Sequence, residues 1–92
     1  MSTIFPKGVL TGNEVQDLYN HAKKNNYALP AVNVIGNNSI NSVLETASEL
    51  NSPVIIQFSN GGSLFNAGRG LNNNNHMACI KGAIAGAKHV HE

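Results

Sequence analysis

The sequence has a single cysteine, Cys79, so no intrachain disulfide and no cysteine-based zinc site can form. A lone thiol among the small residues near position 79 reads as a packed apolar group rather than a nucleophile. Charge is scarce as well. Charged residues make up 12% of the chain, the net charge is +1, and the lysines are scattered, mostly singly. Such a surface has no electrostatic footprint for nucleic acid or for an anionic membrane. No apolar run approaches the ~18 residues that a membrane span needs. The first residues, Met1-Ser2-Thr3-Ile4-Phe5-Pro6-Lys7, lack the basic-then-apolar pattern of a secretory signal. The expected compartment is a reducing cytoplasm.

What is present suits a globular core. Hydrophobic residues reach 41% of a 92-residue chain, which makes one domain at most, or a piece of one. Asparagine stands where charge is missing: Asn25-Asn26, Asn37-Asn38 and the run Asn72-Asn73-Asn74-Asn75. Thr11-Gly12-Asn13-Glu14 matches a capping box with Thr11 as N-cap. Val15, Leu18, Tyr19 and Ala22 follow it on one helical stripe, which predicts a leading helix over about residues 12–26. The apolar segment Ala28–Ile35, closed by Gly36, predicts a strand over about residues 29–35, with Pro30 near its start. Ile40, Val43, Leu44, Ala47 and Leu50 mark a helix over about residues 38–51, stopped by Ser52-Pro53. A second strand follows over about residues 53–58, then a glycine-rich loop over about 59–75. A helix from about residue 76 carries Met77, Ile80, Ile84 and Ala87 on one face. Its small residues permit close packing at a cost of about 1 kcal/mol per glycine against alanine. The order is that of an α/β fold. Two strands joined through one helix form a parallel crossover unit, and a parallel pair alone leaves faces and edges uncovered.

Chemistry concentrates in Gln57-Phe58-Ser59-Asn60-Gly61-Gly62, where a buried-type strand turns polar at its carboxyl end. Loops and polar groups at the carboxyl ends of parallel strands form the active face of α/β enzymes. Period-two alternation puts Ile55, Gln57 and Ser59 on one face and Val54, Ile56 and Phe58 on the other. It likewise puts Ala31 and Asn33 opposite Val32 and Val34. Asn33, Gln57 and Ser59 are therefore expected to meet at one rim. Two readings of the turn stand side by side. Ser59 with the amides of Asn60, Gly61 and Gly62 holds an anion such as phosphate, or these residue types simply make a turn.

Other motifs carry less. Gly68-Arg69-Gly70 lacks the third glycine of a dinucleotide fingerprint, since position 73 is asparagine. His89-Val90-His91 places two imidazoles two residues apart, where a helix points them in different directions. His21 and His76 have no cysteine or carboxylate at ligand spacing. Glu14, Asp17, Glu45 and Glu49 lie on predicted helices, where capping and solvation account for them. The residues alone give half of a binding rim and no catalyst.

Several segments together resemble the N-terminal portion of class II fructose-1,6-bisphosphate aldolases. They are Ala28–Val34, Val43-Leu44-Glu45-Thr46-Ala47, Ser52–Gly62, Ala67-Gly68-Arg69-Gly70 and Ile80–His91. The resemblance implies the first β/α units of a (β/α)₈ TIM barrel, incomplete in this chain. It implies a cytoplasmic homodimer that reversibly cleaves fructose 1,6-bisphosphate to dihydroxyacetone phosphate and glyceraldehyde 3-phosphate, with Zn²⁺ as Lewis acid. It also implies that Ser59 helps bind the phosphate of the aldehyde half and that Asn33 shapes the substrate site. The family's catalytic aspartate and zinc ligands are expected beyond Glu92, the first in a His-Thr-Asp-His-Cys-like segment, so no catalytic or metal-binding residue is assigned here. The chain alone is expected to be inactive. Two other readings remain: a short interaction module related to the aldolase N-terminus, and a portion of a tagatose-bisphosphate aldolase.

Overall fold

A computed structural model describes residues 7–92; the stretch Met1–Pro6 read above for targeting lies outside the described residues. The elements run α1 (Asn13–Lys24), β1 (Ala31–Asn33), α2 (Asn37–Leu50), β2 (Ile55–Gln57), α3 (Asn60–Ala67) and α4 (Met77–His91), with a 3₁₀ turn at Asn74–His76 before α4. The architecture is α/β and helix-rich, around a small parallel sheet.

Helix α1 begins one residue later than the capping-box reading places it. Gly12 occupies the N-cap, and the Thr11 hydroxyl does not cap. Only the return half of the box forms: the Thr11 N–H donates to the Glu14 carboxylate at 3.3 Å. The end is closed by Asn25, whose backbone N–H and side-chain amide both donate to the His21 carbonyl, at 3.0 and 2.9 Å. Leu18 and Ala22 are buried, whereas Tyr19 on the same stripe stays half exposed.

The strands are shorter than expected, and among the described residues each has one neighbour to pair with. Their register is Ala31↔Ile55, Val32↔Ile56 and Asn33↔Gln57. Ladder bonds extend one residue further at both ends, Ile55 N–H to the Pro30 carbonyl at 2.8 Å and Val34 N–H to the Gln57 carbonyl at 3.0 Å. Pro30 accepts without needing to donate, which is the one ladder role proline can fill. On one face Ala31, Asn33, Ile55 and Gln57 are exposed; on the other Val32 and Ile56 are partly covered. Beyond the strands, Val34 and α2's Ile40 are the most deeply buried side chains, at 1% and 0% exposure.

Helix α2 starts at Asn37. The Ser39 hydroxyl accepts from the Ile35 and Gly36 N–H groups at 3.0 and 3.2 Å, and donates to the Gly36 carbonyl at 3.0 Å. It ends on Asn51, which takes the left-handed conformation (φ 49°) that asparagine tolerates better than most residues. The remainder of its stripe is poorly covered, with Leu50 70% exposed.

The largest departure from the sequence reading is the segment 59–75. It is not a loop throughout, because α3 occupies Asn60–Ala67 within it. This helix lies directly on α4. The contact uses the small face of α4, where Ala78, Cys79, Gly82 and Gly86 are buried, and not the stripe Met77, Ile80, Ile84 and Ala87. Met77, Ile80 and Ile84 are each about half exposed. A β-carbon at Gly82 would fall on the Ser63 carbonyl, and one at Gly86 would fall into the Phe58 ring. Asn66 adds a hydrogen bond from its side-chain amide to the Gly82 carbonyl at 2.9 Å. Close approach, not hydrophobic bulk, selects the packed face.

Gly82→Ala should therefore destabilise the fold by about 1–3 kcal/mol despite the higher helix propensity of alanine. Lys81→Ala, one residue away on the exposed side, should change stability by less than about 0.5 kcal/mol. Urea unfolding followed by circular dichroism distinguishes them; equal midpoints for both variants would show that the glycine contact does not matter.

Candidate functional site

The parallel register brings the last residues of the two strands side by side. Asn33 and Gln57 sit opposite one another on the open face, and the Gln57 side-chain amide donates to the Asn33 side-chain oxygen Oδ1 at 2.5 Å. Paired this way, the two side chains still present the amide N–H₂ of Asn33 and the carbonyl of Gln57. Such a pair offers one donor and one acceptor without carrying charge.

Two residues past Gln57, Ser59 leaves the strand in extended geometry and becomes the N-cap of α3. Its hydroxyl accepts from the Gly62 N–H at 3.0 Å, and its carbonyl accepts from the Ser63 N–H at 2.9 Å. This corrects the expected anion loop in one respect. The Gly62 amide is engaged by Ser59, so the groups that open the helix toward solvent are the amides of Asn60 and Gly61. The first N–H groups of a helix lack intrahelical partners, and they point along the positive end of its dipole. The simple-turn reading of these residues gives way to a helix N-terminus.

Glycine at 62 has a local reason. A β-carbon there would meet the Val34 carbonyl at 3.0 Å and the Ser59 hydroxyl at 3.3 Å. The first turn of α3 thus rests against the chain as it leaves β1. Asn33 and Gln57 pair directly, while the Ser59 hydroxyl is turned toward its own helix rather than toward them.

The α3 N-terminus also has partners that the sequence reading missed. The Cys79 thiol donates to the Asn60 carbonyl at 3.3 Å and accepts from the Asn73 side-chain amide at 3.3 Å. The Asn73 side-chain carbonyl accepts from the Cys79 backbone N–H at 3.1 Å. The signal for α3 itself was available, since serine followed by a segment without proline is an N-cap pattern. The histidines lie elsewhere. His21 Nδ1 is 2.7 Å from the Tyr27 hydroxyl, and His89 Nε2 is 2.9 Å from the Asn41 side-chain oxygen. Among the described residues no group of three or more His, Cys, Asp or Glu side chains could hold a metal ion.

The strand pair thus ends in polar side chains with a helix N-terminus beside them. The family model for "Fructose-bisphosphate aldolase class-II" matches residues 13–92. The chain belongs to the class II fructose-bisphosphate aldolase family. Fructose-bisphosphate aldolase class 2 of Escherichia coli K12 is 54% identical across the whole of this chain, which covers 27% of that protein. The protein of the same name from Buchnera aphidicola is 58% identical over 91% of the chain, and 24% of its own length is covered. In three dimensions the chain is similar to the 1.85 Å crystal structure of fructose-bisphosphate aldolase from Campylobacter jejuni. The TM-score is 0.82 at 55% identity, over 91% of this chain and 23% of the other. The chain thus spans about a quarter of the length of the aldolases it matches.

Replacing the cap tests the local geometry without reference to catalysis. Ser59→Ala should cost about 1 kcal/mol of stability, and Ser59→Asn, which can still accept from the Gly62 N–H, should recover most of it. Thermal melts of the three proteins give the answer; a Ser59→Ala melt superimposable on the parent would mean that the hydroxyl does not cap α3.

Proposed function

We propose that these residues are the N-terminal part of an aldolase barrel that reversibly cleaves fructose 1,6-bisphosphate to dihydroxyacetone phosphate and glyceraldehyde 3-phosphate. The observation that carries this reading is the paired Asn33–Gln57 rim beside the α3 N-terminus, at the carboxyl end of a parallel sheet. In TIM-barrel enzymes that end is the active face. The amides of Asn60 and Gly61 hold the phosphate of the aldehyde half, with Ser59 fixing the turn that presents them. Asn33, oriented by Gln57, contacts the sugar hydroxyls. Both interactions bind and orient substrate, and neither moves a proton.

The reading implies a Zn²⁺ ion that polarises the ketose carbonyl when bound. The described residues do not form a site for it. It further implies a cytoplasmic homodimer as the working assembly. No helix among the described residues is long and apolar enough to cross a membrane.

Joining these 92 residues to the remaining three quarters of the Escherichia coli relative tests the reading. The chimera should cleave fructose 1,6-bisphosphate in a chelator-sensitive manner, and Ser59→Ala in it should raise KM by about tenfold. A well-folded chimera without turnover, or one that prefers tagatose 1,6-bisphosphate, would overturn the assignment. The 92-residue chain alone, assayed with zinc, should show no cleavage above background. Turnover by the isolated chain that a chelator abolishes would refute its inactivity.

A further inference from the structure

We infer that Asn73, acting through Cys79, is a positioning residue for the phosphate-holding turn at Ser59. The inference deepens the proposed function and rests on its assignment of that turn.

The Asn73 carboxamide grips Cys79 at two points, accepting from its backbone N–H at 3.1 Å and donating to its sulfur at 3.3 Å. The thiol passes the contact on, donating to the carbonyl of Asn60 at 3.3 Å. Asn60 is the first residue of α3 and directly follows the Ser59 cap. The three groups therefore tie the segment before α4, the first turn of α4 and the first turn of α3 into one unit. Cys79 is buried, so the thiol faces protein rather than water. Asn73 fixes which way the thiol hydrogen points, because it donates to the sulfur and leaves the S–H to reach Asn60.

The far end of α3 is held separately, by the bond from Asn66 to the Gly82 carbonyl. Two attachments at opposite ends stop a short helix from sliding or tilting on its neighbour. The attachment at the N-terminal end sets where the Asn60 and Gly61 amides point. A ligand phosphate is sensitive to that direction, since its hydrogen bonds weaken steeply once donors are misaligned. Removing the relay leaves the fold in place but lets the turn wander.

The test is kinetic, in the complete zinc-loaded barrel, with Asn73→Ala, Cys79→Ala, Cys79→Ser and Ser59→Ala compared on two substrates. Fructose 1,6-bisphosphate carries the phosphate that the turn holds; fructose 1-phosphate does not. Asn73→Ala and Cys79→Ala should raise KM for the bisphosphate about fivefold, change kcat less than about twofold and leave kcat/KM for the monophosphate unaltered. Cys79→Ser, which keeps a donor toward Asn60, should restore most of the loss. Equal losses on both substrates would mean that the relay supports the fold in general, and would overturn the inference. So would an unchanged bisphosphate KM in both alanine variants while Ser59→Ala raises it. If Ser59→Ala itself changes nothing, the phosphate assignment fails first, and the relay has no ligand to serve.

Discussion

The arrangement depends on the close approach of α3 to α4 where Gly82 meets the Ser63 carbonyl. Any side chain at that point would push the short helix away from the long one. With it would go Ser59, which caps α3, and the contact of Gly62 with the end of β1. Helix packing usually leaves 8–10 Å between axes, and small residues at the crossing allow the lower end of that range. Here the missing side chain also exposes the Gly82 carbonyl to Asn66, so one residue supplies both room and an acceptor.

The sheet contributes direction rather than strength. A parallel pair of three-residue strands is too small to hold a fold by itself, and one of its faces carries exposed Ala31, Asn33, Ile55 and Gln57. Parallel sheets are ordinarily covered on both sides. That this chain spans about a quarter of its relatives' length fits the half-covered sheet and the exposed Leu50, Ile80 and Ile84. The strands nevertheless fix the alignment of Asn33 with Gln57. In-register pairing makes those two residues neighbours although they lie 24 positions apart.

Some of this was legible in the residues and some was not. Alternation alone sorts Asn33 and Gln57 onto one face, because a period of two leaves no choice once strand direction is given. Helix α3 had an N-cap signal in Ser59, but Gly61-Gly62 outweighed it, since local propensity reads that pair as a turn. Glycine at 62 is there instead because the helix turn rests against the Val34 carbonyl at the end of β1, which lies far away in sequence. The face of α4 misled in a similar way. Met77, Ile80 and Ile84 form the more hydrophobic stripe, yet the glycine side is the one that meets a partner. Amphipathic pattern reports where apolar groups lie, not which face another helix can approach. Thr11 shows a smaller slip: the sequence fits a capping box, but Gly12 takes the cap and leaves only the Glu14 half. The Asn73–Cys79–Asn60 chain could not be read at all, because nothing in one dimension shows that positions 60, 73 and 79 touch.

Carboxamides recur in the polar joining among the described residues. Asn25 closes α1, Asn66 and Asn73 fasten α3, and Gln57 orients Asn33. A carboxamide neither gains nor loses a proton in ordinary buffers, and its bonds are not screened by dissolved ions as charge pairs are. The joints Asn25–His21, Asn66–Gly82 and Gln57–Asn33 are therefore indifferent to shifts in acidity and ionic strength, so the rim keeps its shape through both.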